Sequence, residues 1–233
     1  MKSKIKLPLE KNLVFPHDID STPHLYYSSF FSWLYKKKLT LLLSFLESGK
    51  PGRVLEVGCG AGVALKELSI KSVEVLAIDV HPHLENVKEM LRKEGITNVC
   101  LLGHDIFSAV INAGQGFDFI FTSSVLEHIP QSRLYSGIKN MHGALNADAY
   151  LLAGFPLKSS LMDALFSLYE KCLRKFKKDA YKFTLKDDHP SGQDEIIPAI
   201  EKYFTIEQEK FLFPVWPKLY ICLKCKKRSP NES

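Results

Sequence analysis

Residues 54–62 read V-L-E-V-G-C-G-A-G, so Glu56 is followed by glycine at every second position: Gly58, Gly60 and Gly62. Residues without a side chain let backbone approach a ligand closely. A glycine turn between a strand and a helix puts that ligand at the carboxyl end of a sheet, beside a helix N-terminus. Asp79 ends the next apolar run, about 20 positions beyond the glycines. A carboxylate there can accept hydrogen bonds from both hydroxyls of a ribose. These residues therefore point to nucleoside binding.

Glu56 narrows the choice. The dinucleotide fingerprint G-x-G-x-x-G carries its third glycine one step later, and a carboxylate here would repel a pyrophosphate. The same carboxylate complements a cationic amino or sulfonium group. A nucleoside with such a tail and no phosphate is S-adenosyl-L-methionine.

These residues need a scaffold that collects them. Strands are expected over 53–57, 74–78, 99–102, 117–122 and 149–155, alternating with helices that begin at 63–68 and run over 84–93 and 133–145. Such alternation, with runs too apolar to face water, predicts an α/β fold whose parallel sheet is covered on both faces. A helix over 195–204, interrupted or kinked near Pro198, precedes two strands over 205–213 and 218–224. Those two can pair antiparallel at one edge. Upstream, residues 1–23 hold three prolines and read as an extended leader. Apolar residues at helical spacing over 22–46, including Leu25, Tyr26, Phe30, Trp33, Leu34, Leu41 and Phe45, fit one or two helices.

The run at 54–62, A-I-D-V at 77–80, G-H-D-I at 103–106 and F-D-F-I-F-T-S-S-V-L-E-H-I at 117–129 together resemble the class I S-adenosylmethionine-dependent methyltransferases. The small-molecule group that includes the ubiquinone and menaquinone methyltransferases is the most similar, over about residues 50–225. The resemblance implies a Rossmann-like, doubly wound, seven-stranded sheet, mostly parallel with an antiparallel C-terminal edge strand. It divides the chain into a leader with lid helices (1–48) and a methyltransferase domain (49–228) with an insertion at 157–187.

The resemblance also implies roles. Glu56, Gly58, Cys59, Gly60 and Gly62 would surround the methionine part of the cofactor. Asp79 would hold the ribose, and Val80 would touch the adenine face. Asp105 would meet the adenine amino group, with Ile106 packed on the ring. Ser123 and Ser124 would lie near the sulfonium and amino group. The product would be S-adenosyl-L-homocysteine, and no metal is implied.

A base is needed only where the acceptor must lose a proton. His128, just beyond the fourth strand, is the first candidate, because imidazole exchanges protons near neutral pH. It can equally be packed structurally on the sheet. Glu127 and His189 are further candidates. The acceptor is expected to be a small, partly apolar molecule methylated on O, N or C. The residues after the fourth strand do not read N-P-P-[YF] or D-P-P-Y and hold no cysteine, which disfavours nucleic-acid substrates. An NAD(P)-dependent oxidoreductase and a catalytically silent partner protein of the same fold remain the competing functions.

Composition adds bounds. The 233 residues carry a net charge of +5, partly in runs at 36–38, 174–178 and 224–228. Such runs are usually solvated faces, though they also suit an anionic membrane surface or an acidic partner. In the insertion, Leu161, Leu165, Leu168, Cys172 and Phe176 share a face above basic residues, so the helix can pack on the core, cap a pocket or rest on a membrane. Five irregularly spaced cysteines favour a reducing, cytoplasmic compartment. Cys222 and Cys225 form a C-x-x-C inside an expected strand, with no second pair to complete a zinc site. The sequence leaves the oligomeric state open.

Overall fold

Seven strands make one sheet in the computed structural model, which describes residues 5–13, 22–27, 32–46, 52–111, 114–157, 189–213 and 218–229. They are β1 (Arg53–Val57), β2 (Glu74–Asp79), β3 (Val99–Gly103), β4 (Phe117–Ser123), β5 (Leu145–Pro156), β6 (Phe204–Phe211) and β7 (Tyr220–Lys227). Their order is β3-β2-β1-β4-β5-β7-β6. Neighbours among β1 to β5 pair parallel, and β7 runs antiparallel to both β5 and β6. The opposed strand thus lies one place in from the edge, and β6 forms the edge itself.

The helices are α1 (Thr22–Tyr27), α2 (Ser32–Leu43), α3 (Leu65–Lys71), α4 (Leu84–Lys93), α5 (Gln131–Ala144) and α6 (Gln193–Glu201). Each buries an apolar stripe on one face of the sheet. Leu134, Ile138 and Met141 of α5, with Ile196, Ala199 and Ile200 of α6, pack with Leu55 and Val57. Leu39, Leu42 and Leu43 of α2, Leu65 and Leu68 of α3, and Val87, Met90 and Leu91 of α4 pack with Val54 on the other face. Alternation along β1 explains the division, because successive side chains point to opposite faces. It also puts Glu56 on the α2 face.

Two helix ends differ from the sequence expectation. The first helix after β1 begins at Leu65, because a turn closed by Gly62 N donating to Cys59 O (2.8 Å) comes first. The last helix passes through Pro198 but stops at Glu201, and Phe204 starts β6 instead. The leader is extended over 5–9 and anchored. The Lys6 amide donates to Glu67 Oε2 (2.6 Å), and the Leu9 amide to Glu94 Oε1 (2.7 Å). The expected insertion helix, with Cys172, and the residues Phe30 and Phe31 lie outside the described residues. Cys222 and Cys225 sit on opposite faces of β7, each buried in a different apolar cluster, so they cannot share a metal ion. No helix among the described residues is long and apolar enough to cross a membrane.

Candidate active site

β1 lies between β2 and β4, so the chain leaves β1 toward one side of the sheet and later returns on the other. Ligands of open α/β sheets bind beyond the carboxyl ends of the strands at such a switch point. The glycine turn stands there. Gly58, Gly60 and Gly62 have φ of 73°, 50° and 76°, a region that strongly favours glycine. A Cβ on Gly58 would fall 2.3 Å from Val125 Cγ2, and one on Gly62 would meet Met90 and Val87 within 3 Å. The turn is therefore bare by necessity. Cys59 within it is buried.

Asp79 locks this turn. Its Oδ2 accepts from the Gly60 amide at 2.7 Å, and its Oδ1 from the Val80 and His81 amides at 2.7 and 3.1 Å. His81 holds the next peptide of the turn, with Nε2 2.9 Å from Gly60 O. Its Nδ1 accepts from the His83 amide at 3.0 Å, so the proton is assigned to Nε2, which donates to Gly60 O. His81 was not singled out in the sequence; the signal was its place two residues after the strand-ending Asp79.

Glu56 is 5% exposed, and its Oε2 has no hydrogen-bond partner among the described residues. Burial raises its carboxyl well above the ordinary carboxylate range, and the charge of Asp79 pushes the same way. Thr122, beside Val57 in the sheet, likewise keeps a buried Oγ1 without a partner. Buried polar atoms are nearly always paired. A cationic, hydrogen-bonding ligand beyond β1 would supply the donor missing at Glu56, so that residue fits the cofactor that the sequence suggests; Thr122 lies on the opposite face of the sheet.

On the adenine side the residues divide. Val80 is 71% exposed and free to form a surface for a ring. Ile106 lies in the core, 1% exposed, so it presents almost no surface to the crevice. Asp105 caps its own turn. Its oxygens accept from the Phe107 amide (2.9 Å), the Ser108 hydroxyl (2.8 Å) and the Arg133 guanidinium. Burial alone would raise this carboxyl, but those hydrogen bonds and the charge of Arg133 hold it below its usual range.

Ser123 and Ser124 sit at the tip of β4 within a network absent from the sequence reading. Ser124 has φ 58°, the only positive φ outside glycine among the described residues. Its amide donates to Gly154 O at 2.7 Å. The Tyr220 hydroxyl lies 3.2 Å from Ser123 Oγ and 3.3 Å from Ser124 Oγ, and Lys38 Nζ donates to Ser124 Oγ at 3.0 Å. The ammonium stands over the rings of Tyr35 and Tyr220, 4.3 and 5.1 Å from their centroids. Burial lowers Lys38 to about 8, against the opposing pull of Glu127 and Cys222. Strained backbone held by surrounding structure is characteristic of functional sites. Helix α2 thus packs on the core and also reaches the crevice through Lys38.

His128 and Glu127 follow in the 3-10 turn Leu126–His128, where Glu127 is buried and His128 exposed. His189 comes from far along the chain, yet its ring meets His128 edge to face, 4.8 Å between centroids. The fold therefore places Glu56, the glycines, Asp79, Val80, Ser123 and Ser124 at the carboxyl ends of the neighbouring strands β1, β2 and β4. His128 and His189 stand together beyond β4, and Ile106 is placed away in the core.

A family model described as a methyltransferase domain matches residues 30–183. An uncharacterized methyltransferase of Staphylococcus carnosus is 30% identical over 142 residues, 61% of this chain and 59% of that protein. The match thus spans less than two thirds of that relative. Among solved structures, the N-methyltransferase NodS of Bradyrhizobium japonicum in complex with S-adenosyl-L-homocysteine superposes with a TM-score of 0.66 at 18% identity, covering 95% of this chain and 97% of that one. Magnesium protoporphyrin IX methyltransferase of Synechocystis with the same bound molecule gives 0.65 at 14% identity, over 91% and 97%. The fold is shared with these enzymes, and the chain belongs to the methyltransferase-domain family.

Proposed function

We propose that the protein is an S-adenosyl-L-methionine-dependent methyltransferase acting on a small, partly apolar molecule. The observation that carries this reading is Glu56: a buried carboxylate with an unpaired oxygen, directly behind a turn of three left-handed glycines. When bound, the cofactor supplies a methyl group already activated by its sulfonium. The chain's own residues then bind and orient. Glu56 offers a carboxylate to the cationic amino acid end. Asp79 fixes the turn through three amides and keeps one acceptor position, on Oδ2, for a ribose hydroxyl, since a carboxylate has about four. Val80 gives the adenine an apolar face, and Ser123 and Ser124 border the crevice where an acceptor would enter. His128 is the residue we place at the acceptor's proton, where it has one. The likeness to magnesium protoporphyrin IX methyltransferase, whose acceptor is a small molecule, and to the N-methyltransferase NodS supports a small acceptor.

The test is release of S-adenosyl-L-homocysteine from S-adenosyl-L-methionine, measured against a panel of small alcohols, phenols, amines and carbon acids. Acceptor-dependent release from any of them is expected. Cofactor binding without release over the whole panel would favour a silent partner protein. Binding of NAD(P) in place of S-adenosyl-L-methionine would favour the oxidoreductase.

A further inference from the structure

Glu127, His128 and His189 bring one carboxylate and two imidazoles together beyond the tip of β4. Their donor atoms all lie within 4.8 Å of one another. The proximity is built by backbone. The Ser191 amide donates to Glu127 O at 3.3 Å, and the Ser191 hydroxyl to Ile129 O at 2.6 Å, with Ser191 only 1% exposed. The Gly192 amide donates to Glu195 Oε2 at 2.7 Å, which fixes the start of α6. The segment carrying His189 is thus tied to the turn carrying Glu127 and His128.

We propose that Glu127, His128 and His189 form a site for a divalent transition-metal ion, with positions left open for a hydroxyl oxygen of the acceptor. Two imidazoles and one carboxylate are a donor set that zinc takes in sites with an open position. The same mixture suits manganese and cobalt. Ligands about 2.0–2.2 Å from a tetrahedral ion stand roughly 3.3 Å apart, so rotation of the two exposed imidazoles closes the present spacing around the buried carboxylate. The other group of similar compactness, Cys59, Asp79 and His81, has its donors committed to the glycine turn: Asp79 accepts three amides, and both His81 nitrogens face backbone.

The proposal rests on the methyltransferase reading and adds an acceptor class, a molecule with a hydroxyl that can reach an ion. Coordination acidifies a bound hydroxyl. The hydroxyl's proton then passes to water, and His128, held as a ligand, no longer serves as the free base. Glu127 also lies close enough to Lys38 to raise its basicity. A purely structural counter-charge is therefore the competing role for this glutamate.

The experiment is titration of the metal-free, tag-free chain with cobalt(II) chloride, followed by visible absorption, and with zinc chloride by calorimetry. S-adenosyl-L-homocysteine affinity is measured on the same samples. We expect one equivalent of metal to bind. We expect at least about tenfold weaker binding in His189→Ala and in Glu127→Gln, with S-adenosyl-L-homocysteine affinity unchanged. His189 is exposed, so its variant folds. No saturable binding by the wild type, or equal binding by His189→Ala, overturns the metal site and leaves the cofactor reading standing. Loss of S-adenosyl-L-homocysteine binding by the wild type would instead overturn the reading on which the site rests.

Discussion

The amide of Gly60 and the carboxylate of Asp79 are joined at 2.7 Å, across the gap between the first and second strands. That bond makes the residue proposed to bind the ribose also the clamp of the glycine turn. Binding and loop geometry are therefore coupled in this protein, and variants at the turn should change both.

Gly58→Ala tests the bareness of the turn. Left-handed φ costs an alanine about 1–2 kcal/mol, and contact with Val125 adds about 1–3 kcal/mol of overpacking. Chemical denaturation should show a loss of roughly 2–5 kcal/mol. Val125→Ala in the same chain should recover the steric part only. An unchanged denaturation midpoint would show that the turn tolerates a side chain.

Glu56→Gln should separate stability from binding. The unfolded carboxyl titrates near the ordinary 4.5, and the folded one well above it. As pH rises from 4.5, the unfolded chain therefore loses its proton first, and Glu56 lowers stability progressively. The Gln variant should gain stability over wild type across that rise, while its S-adenosyl-L-methionine affinity falls about tenfold to a hundredfold. Calorimetry over a range of pH above 4.5, in buffers of different ionisation enthalpy, should show more proton release on binding by wild type than by the variant. Identical proton release in the variant would remove Glu56 from the site.

Lys38→Met tests the contact between α2 and β4. Folded Lys38 titrates at about 8, below the ordinary 10.5. Between those values the unfolded chain binds more protons, so this group makes stability rise with pH over that window. Relative to the variant, wild type should gain stability from pH 8 to 10.5. Parallel urea midpoints for the two chains would contradict the burial of this ammonium.

The sheet was legible because its central strands β1 and β4 are mostly buried: near-continuous apolar runs such as 117–122 leave few alternatives. The glycine turn was legible because its cause is local. The first residues of β5 were not, since Asn146, Ala147 and Asp148 are exposed and lie at the register shift of β5 against β4. Lys38 was hidden within the basic run 36–38, which reads as a solvated face. Its spacing from Leu34 and Leu42, four residues each way on the inward stripe of α2, was the available signal. Tyr220 and His189 reach the crevice only through pairings far apart in sequence. Ile106 was misplaced because an apolar residue after an aspartate looks the same whether it faces a ligand or the core.

The most direct measurement is calorimetry of S-adenosyl-L-methionine with the wild type and with Asp79→Ala, each checked for folding by circular dichroism. Wild type should bind with a micromolar dissociation constant. The variant, without the charge-assisted hydrogen bond to the ribose and without the clamp on the turn, should bind about tenfold to a hundredfold more weakly. Equal affinity in the two folded chains would contradict the placement of a nucleoside at this turn.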